Sequence, residues 1–403
     1  MVSFDQPRES FSDLVPRQGW LANYVEWTSG SEAPLVFHYF VGSATLGAAL
    51  KRTAWFSKGY YRVYPNKQIL IVGPTGKVRK TSAIQLGVKV LRGLKDINII
   101  SKKITPEAVI DALVDGPDAD KVPMGKQATP QDACAVIVAT ELAVFLGKQK
   151  YNEGMIALLT DLFDSPDEWA TQTRGRGKVE LHNVGLTGMW ASTPDWLISA
   201  IPHDAFGGGF MRRILFVVQE STIRCFPIPE APPPIEALVQ SLEDLRARVK
   251  GQMTFSEDAL EWYVSWYAAS RGDIPEDEKM AGYHESKPDH MIRESMILAA
   301  SEGRLTVELP DIKRASFILG YLEKEMLYTF KWLGMRPIGQ DQERIIRTLK
   351  ANQGRMEHSD LLRRLIFFMN ALQFKNSMQT LVESRIVREI ITVNGHRYEL
   401  IES

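Results

Sequence analysis

Lys80 and Thr81 follow a turn that contains two glycines and a proline, and the turn follows the aliphatic residues 69–72. The aliphatic run predicts a buried strand, and apolar residues at helical spacing predict a helix from Thr81 to about residue 94. In such a strand–turn–helix site, backbone N–H groups bind phosphate, a lysine contacts the β- and γ-phosphates, and a threonine hydroxyl binds Mg²⁺. The pattern therefore predicts ATP and Mg²⁺ as cofactors. The candidate binding residues are Gly73, Pro74, Thr75, Gly76, Lys77, Val78, Arg79, Lys80 and Thr81.

The loop departs from the usual G-x-x-x-x-G-K-[ST] spacing in two ways. That spacing places the first glycine about six residues before the lysine, whereas Gly73 stands one position further away from Lys80. Arg79 also occupies the position of the second glycine. From the residues alone, the alternative of an ordinary glycine turn between a strand and a helix stays open.

Two further strands are predicted to end in polar residues that suit the same site. The apolar run 133–139 leads to Thr140 and Glu141, and a carboxylate at that position could lie beside Mg²⁺ and the attacking water. Thr140 replaces the aspartate that usually precedes such a glutamate, and a buried strand that happens to end at Glu141 is the alternative. Strand 184–191 leads to Thr193, a candidate contact for the γ-phosphate.

Two groups of cations are candidates for binding anions. Arg212 and Arg213 lie between a glycine run and the apolar strand 214–218, a position that suits a cation offered to phosphate by a neighbouring subunit. A structural ion pair is the alternative. Residues 169–183 predict a hairpin, and its tip is either a solvated basic turn or a nucleic-acid contact. The candidate residues of the tip are Arg174, Arg176 and Lys178.

Composition limits the class of protein. The chain has 403 residues, 44% hydrophobic and 24% charged, which predicts more than one soluble domain. A net charge of −1 predicts no general affinity for polyanions, so any nucleic-acid surface must be local. Cys134 and Cys225 lie in apolar runs, and we expect both thiols to be buried. The chain start does not resemble a signal peptide, and residues 34–50 are too short and polar for a membrane span. These features predict a cytoplasmic protein with no membrane partner.

The pattern of elements predicts an α/β fold with several domains. We expect N-terminal helices and a phosphate-loop core with a parallel sheet in residues 1–225, and a proline-rich linker at 226–235. Residues 236–337 predict a helical lid domain. Residues 340–403 predict three short helices and a hairpin with an Asn-Gly turn, the pattern of a winged helix, with Ser359 as an N-cap.

A winged helix contacts either DNA or protein, and the sequence leaves both open. The residues that could contact DNA are Lys375, Asn376 and Gln379 on its third helix and Arg388 and Arg397 around the hairpin.

Taken together, these motifs resemble a family of P-loop ATPases of phages, plasmids and integrated elements, long described as a domain of unknown function. The resemblance covers roughly residues 15–335 and depends on Tyr64-Pro65-Asn66, on the loop with Arg79-Lys80-Thr81, and on Gly209, Phe210 and Arg213. It implies an AAA+/RecA-like ring ATPase, replicative-helicase-like and often encoded beside primase modules.

The resemblance also implies roles for single residues. Lys80 and Thr81 would contact phosphate and Mg²⁺, and Glu141 would orient the attacking water. Thr193 would sense the γ-phosphate, and Arg213 or Arg212 would act on the neighbouring subunit. Arg293, in the helical domain, would be a lid arginine that contacts nucleotide.

Two functions are compatible with this reading. The first is a ring-forming ATP-driven DNA motor, most simply a replicative helicase of a phage or mobile element, assembled as a homo-hexamer with a primase or loader as a possible partner. The alternative is an ATP-gated DNA-binding initiator or loader that does not translocate. A third possibility is an ATPase that acts on protein partners.

Overall fold

The structure, a computed structural model, divides into two compact units, Met1–Thr329 and Phe330–Ser403. It describes residues 10–101, 104–117, 132–146, 149–173, 177–194, 196–197, 209–222, 224–229, 231–272, 278–334, 337–392 and 395–401. The units are mixed α/β in composition, in agreement with the predicted α/β class. Within the described residues, no helix is both long enough and apolar enough to cross a membrane.

A five-stranded parallel sheet forms the centre of the larger unit. The strands of this unit are β1 (Ala54–Ser57), β2 (Arg62–Val63), β3 (Gln68–Val72), β4 (Asn98–Ser101), β5 (Cys134–Ala139), β6 (Glu168–Thr173), β7 (Gly177–His182), β8 (Gly185–Ser192), β9 (Ile214–Val218), β10 (Gly251–Phe255) and β11 (Thr306–Val307). The central sheet has the order β4-β5-β8-β3-β9. All residues of β3, β5, β8 and β9 are buried, because helices cover both faces of a parallel sheet.

The helices of the larger unit surround this sheet. They are α1 (Phe11–Leu14), α2 (Trp20–Trp27), α3 (Leu35–Leu50), α4 (Lys80–Gly93), α5 (Pro106–Asp115), α6 (Leu142–Leu146), α7 (Gln149–Phe163), α8 (Glu236–Arg248), α9 (Glu257–Ser270), α10 (Glu278–Ser301) and α11 (Leu309–Gly334). Helix α3 is buried along almost its whole length, as its apolar composition predicts. Helix α5 begins with a capped first turn, in which the Thr105 side chain accepts the Ala108 N–H and Pro106 is the first helical residue.

A second sheet joins parts of the chain that the sequence assigns to different domains. Its order is β11-β10-β1-β2, and β1 pairs in parallel with β10, which lies beyond the proline-rich segment. Buried Lys67 before β3 also pairs with buried Glu294 on α10. The residues before and after the segment therefore pack as one unit rather than as two domains. Residues 236–337, predicted as a helical lid domain, also contain the short strands β10 and β11, and β10 joins a sheet with β1 through non-local pairing.

The smaller unit has helices and strands in the order helix–strand–helix–helix–strand–strand within its described residues. These elements are α12 (Pro337–Lys350), β12 (Arg355–Glu357), α13 (His358–Leu365), α14 (Ala371–Glu383), β13 (Val387–Thr392) and β14 (Gly395–Leu400). The strands form an antiparallel sheet in the order β12-β14-β13. Its core contains Leu361, Phe374, Met378 and Tyr398.

Two local predictions need correction: the N-cap of α13 in the smaller unit and the burial of Cys225. Glu357, not Ser359, is the N-cap of α13, because the helix begins earlier, at His358. Cys134 is buried in β5 as expected, but Cys225 is exposed. Cys225 follows β9 and lies outside any helix or strand, so an apolar neighbourhood in sequence does not bury it. Asn394 of the predicted turn lies outside the described residues.

Candidate nucleotide-binding site

A cleft opens where β3, β5 and β8 end. Because parallel strands place their carboxyl ends at the same edge of a sheet, the loops that follow these three strands meet there. The cleft encloses a cavity of about 310 Å³. Its lining residues are Thr75, Gly76, Arg79, Lys80, Thr81, Ser82, Thr140, Glu141, Leu142, Ser192, Thr193 and Trp196.

Gly73 fixes the start of the loop against the two neighbouring strands. Its N–H donates to the Ser192 carbonyl at 3.3 Å. A Cβ at this position would collide with the Gln219 carbonyl and would lie 2.6 Å from Val78 Cγ2. The Gln219 backbone is itself held, because its N–H donates to the Val72 carbonyl at 3.0 Å. The backbone of the loop can approach the ends of β8 and β9 this closely only with glycine here.

The structure shows how the loop accommodates its two departures from the usual pattern, the additional residue before Lys80 and the arginine at the position of the second glycine. Val78 is fully buried beneath the loop, against Gly73. Arg79 precedes α4 as its N-cap and adopts a left-handed conformation, with φ +49° and ψ 39°. Glycine adopts this region without strain, and other L-residues do so with difficulty. Arg79 thus keeps the backbone shape of the glycine that it replaces.

Lys80 is turned into the loop. Its Nζ donates to the Gly73 carbonyl at 2.5 Å and to the Pro74 carbonyl at 3.1 Å. Burial lowers the pKa of Lys80, and the nearby Glu141 carboxylate opposes that shift. The ammonium group therefore lies within the loop, close enough to Glu141 for the two charges to interact.

Glu141 and Thr193 reach the cleft from the other two strands. Glu141 is exposed to the cleft, and its carbonyl accepts the N–H groups of Val144 and Phe145 at the start of α6. The Thr193 hydroxyl oxygen accepts the Trp196 N–H at 3.3 Å. The structure brings Lys80, Thr81, Glu141 and Thr193 together around one cavity.

Not every predicted loop residue lines that cavity. Gly73 and Pro74 offer their carbonyls to Lys80, Val78 is buried, and Lys77 points to solvent outside the cavity lining. Sequence reasoning missed Trp196, whose side chain is 57% exposed in the cleft. A single aromatic residue after Thr193 has no periodicity or spacing that could have drawn attention to it.

No protein-family model matches the chain, and no curated protein matches it. The chemistry of the cleft is therefore argued from its own residues. Backbone N–H groups, one lysine, a threonine hydroxyl and one carboxylate fit a nucleoside triphosphate with Mg²⁺, because Mg²⁺ commonly takes one or two protein ligands together with phosphate oxygens and water. Within the described residues, no group of three or more His, Cys, Asp or Glu side chains could hold a metal ion alone.

Arg212 and Arg213 lie at the amino ends of the strands of the central sheet, whereas the cleft lies at the carboxyl ends. Arg213 immediately precedes β9, and its Nη2 pairs with Asp164 Oδ2 at 2.5 Å. Its Nη1 donates to the Gly209 carbonyl at 2.6 Å. The carbonyl of Arg212 accepts a hydrogen bond of 2.9 Å from His290 Nε2. These contacts are those of the structural ion pair that the sequence left open as an alternative.

Arg293 does not reach the cleft. Its guanidinium is buried over the Phe163 ring, 4.6 Å from the ring centroid, and burial lowers its pKa. Phe163 marks the amino edge of the sheet, because its carbonyl accepts a 3.0 Å bond from the side chain of Asn66, just before β3. A contact between Arg293 and nucleotide in the cleft of the same chain is not compatible with this placement.

The predicted DNA-binding residues are distributed over both units. Strands β6 and β7 form the predicted hairpin, where Lys178 pairs with Glu180, while Arg174 and Arg176 lie outside the described residues. Lys375, Asn376 and Gln379 are exposed on α14, and Gln379 donates to Glu383 at 2.9 Å. Arg388 is exposed on β13, whereas Arg397 pairs with Glu357 at 2.7 Å. The charge of Arg397 is therefore already neutralised within its unit by the partly buried Glu357.

Proposed function

We propose that this protein hydrolyses ATP and uses the reaction to act on nucleic acid, as a ring-forming motor of the helicase type. The observation that supports the proposal is the cleft in which Lys80, Glu141 and Thr193 meet from the ends of β3, β5 and β8. The resemblance of the loop and of the residues before β9 to the mobile-element ATPases points to the same function.

The strand order provides space for the reaction. Strand β8 lies between β3 and β5, so the lysine loop and Glu141 are separated by two inter-strand spacings, about 10 Å in all. That distance leaves room for a terminal phosphate and an attacking water. Glu141 is then placed to orient the water and accept its proton, as a carboxylate does in related phosphoryl transfers.

The other cleft residues bind and orient the triphosphate. On binding, Lys80 exchanges the Gly73 and Pro74 carbonyls for phosphate oxygens, and the N–H groups at the start of α4 face the same anion. Thr81 and Glu141 would hold Mg²⁺, which neutralises charge on the phosphates when bound. The Thr193 hydroxyl donates to the terminal phosphate while its oxygen keeps the Trp196 N–H as a partner.

A ring explains how an arginine at the far edge of the sheet could take part. Arg212 and Arg213 lie at the amino ends of the strands, away from the cleft of their own chain. Either arginine could therefore contact phosphate only in the cleft of a neighbouring subunit. Arg213 would have to exchange Asp164 for phosphate, and such a cation contributes about 10³-fold or more to rate in comparable enzymes. The hairpin β6–β7 and the smaller unit, for which we propose the role of a winged helix, would contact DNA.

The test is ATP hydrolysis by the purified full chain and by single variants. We expect Lys80→Ala to lower the rate at least about 100-fold, because it removes a preorganised cation from the phosphates. Glu141→Gln should keep nucleotide binding and slow hydrolysis by a similar factor. Lys95→Ala, an exposed lysine outside the cleft, serves as the matched control. Hydrolysis by Lys80→Ala at the wild-type rate would refute the proposal.

One observation favours the alternative of an ATP-gated initiator or loader. Arg213 is already paired with Asp164, and an arginine held in this way contributes to hydrolysis only if that pair opens. Strand displacement on a forked substrate separates the two functions. A motor unwinds the fork with little dependence on sequence, whereas an initiator protects a defined duplex and unwinds nothing.

A further inference from the structure

A tight hairpin turn places two tyrosines in solvent at the edge of the second sheet. The Lys58 N–H donates to the Tyr61 carbonyl at 2.9 Å, and Gly59 has φ +75°, as a hairpin turn requires. Tyr60 is completely exposed and Tyr61 is 49% exposed. Two large rings at a turn contribute little to the core, so packing does not explain them.

The turn is held in place on the rest of the unit. Lys58 Nζ forms an ion pair of 2.8 Å with Asp289 on α10 and lies over the Tyr61 ring, 5.3 Å from its centroid. The Tyr61 hydroxyl lies 3.5 Å from the same carboxylate. The ring of Tyr61 is therefore presented in a fixed orientation, which reduces the entropy that binding a ligand would remove.

The opposite face of the same sheet carries Trp55 and Arg62, whereas Lys58 and Tyr61 lie on the face that contacts Asp289. Residues alternate between faces along a strand, so Trp55 and Ser57 share one face and Phe56 lies on the other, packed against Phe255 at 4.6 Å. Ser57 pairs with Arg62, whose guanidinium lies over the Trp55 ring at 5.2 Å. Exposed Gln252 and Thr254 of β10 extend the face with neutral polar side chains.

We propose that the end of this hairpin, with Trp55 and Arg62 on one face of the sheet, Tyr61 on the other and Tyr60 at the tip, binds single-stranded nucleic acid. Aromatic rings stack on exposed bases without regard to sequence, and cations beside them contact the backbone phosphates. A duplex does not offer its base faces, so the site selects single strands. The site extends the proposed function by naming a contact for the strand apart from the hairpin β6–β7, but its test needs no ATP.

The first measurement is binding of an end-labelled oligothymidylate to the full chain by fluorescence anisotropy, without nucleotide. The double variant Tyr60→Ala/Tyr61→Ala should weaken binding about tenfold or more, because each lost stack is worth about fivefold to more than 100-fold. Tyr60→Phe/Tyr61→Phe keeps both rings and should keep the affinity. Ile228→Ala, at a position with 89% exposure, is the control for loss of an exposed apolar side chain.

The dependence of strand affinity on salt concentration tests the contact between Arg62 and the backbone phosphates. Arg62→Ala should lower the slope of log affinity against log salt by about one phosphate contact, whereas Arg92→Ala, an exposed arginine on α4, should leave it unchanged. Repeating the titration with oligouridylate shows whether the site binds RNA as well as DNA. The affinities for oligothymidylate and oligouridylate need not be equal. The proposal requires only that the double alanine variant weakens binding of both.

A direct readout is photo-crosslinking of an iodouracil-containing strand, mapped by mass spectrometry, with a crosslink at Trp55, Tyr60 or Tyr61 as the expected result. Unchanged affinity of the double alanine variant would overturn the proposal. So would a change in subunit assembly, measured by light scattering, with no change in strand affinity, because the tyrosines would then form a protein contact. The binding and crosslinking measurements are repeated with Lys80→Ala. A result that contradicts the ATPase proposal can then be distinguished from one that contradicts strand binding at this hairpin.

Discussion

The guanidinium of Arg79 pairs with the carboxylate of Glu32, with Nε 2.8 Å from Oε2, while the backbone of Arg79 is left-handed. The other oxygen of Glu32 accepts the Phe226 N–H at 3.1 Å, at the start of the proline-rich segment. The Phe226 N–H and then the Arg79 guanidinium lower the pKa of Glu32. One carboxylate thus connects the loop after β3 to the chain that leaves β9.

Substitution of Arg79 tests the strain in its backbone. We expect Arg79→Gly to be more stable than Arg79→Ala by about 1 kcal/mol, because alanine keeps the left-handed penalty and glycine does not. Both variants lose the Glu32 pair, so that contribution cancels in the comparison. Urea denaturation followed by circular dichroism measures the difference.

A position inside α4 provides the control for this comparison. Gln85 is exposed in the helix, and there the order should reverse, with Gln85→Ala more stable than Gln85→Gly by about 1 kcal/mol. If alanine were also the better residue at position 79, the left-handed conformation of Arg79 would be contradicted.

Gly73→Ala should damage the cleft by steric overlap. The added Cβ meets the Gln219 carbonyl and Val78, and the backbone at Gln219 cannot move without breaking its bond to Val72. We expect a loss of about 1–3 kcal/mol of stability and weaker nucleotide binding, measured by denaturation and by titration of a fluorescent ATP analogue. At Gly76 no atom lies near the added Cβ, but φ is +75°, so Gly76→Ala should lose only about 1–2 kcal/mol. An equal effect at both positions would contradict the steric explanation.

The buried pair of Lys67 and Glu294 should show strong coupling. Neither side chain is exposed, and the Tyr39 hydroxyl donates to Glu294 at 2.5 Å. We expect Lys67→Met to lower the free energy of unfolding by about 3–5 kcal/mol, because it leaves a buried charge without its partner. The double variant Lys67→Met/Glu294→Met should recover part of this loss, and a double-mutant cycle measures the coupling. Simple additivity of the two single effects would refute the pairing.

His290 should make stability fall in mild acid. Burial lowers its pKa to about 4 from an ordinary value of 6.5, while its Nε2–H donates to the Arg212 carbonyl. Below pH 6.5 the unfolded chain binds a proton that the folded chain does not, so the free energy of unfolding decreases as the pH falls toward 4. The expected contribution is about 1.4 kcal/mol per pH unit.

Replacement of His290 checks the source of that slope. His290→Gln retains a donor for the Arg212 carbonyl and has no titration, so the dependence of unfolding free energy on pH should be flatter by about one proton. Gln85→Ala, at an exposed position without a titratable side chain, is the control and should leave the slope unchanged. A slope that is the same in His290→Gln and in the wild type would show that other groups cause the acid sensitivity.

Local pattern was sufficient for the elements that carry the cleft. The aliphatic run before Gly73, the helix after the loop and the strand before Glu141 all form the predicted elements, with ends that differ by one or two residues. These elements are specified by neighbours in sequence: periodicity and glycines at a turn. The short strands β10 and β11 were missed because two to five residues carry too little periodicity, and it is their pairing with distant strands that defines them.

The amino-acid sequence indicates which groups could bind a nucleotide and which strands and turns hold them. Which of those groups meet depends on the tertiary structure. Lys80, Glu141 and Thr193 share one cleft because β8 inserts between β3 and β5, and Arg213 and Arg293 are placed at the other edge because β9 and α10 present them there. Strand order and helix packing arise from contacts between residues far apart in the chain, and no local pattern encodes such contacts one by one.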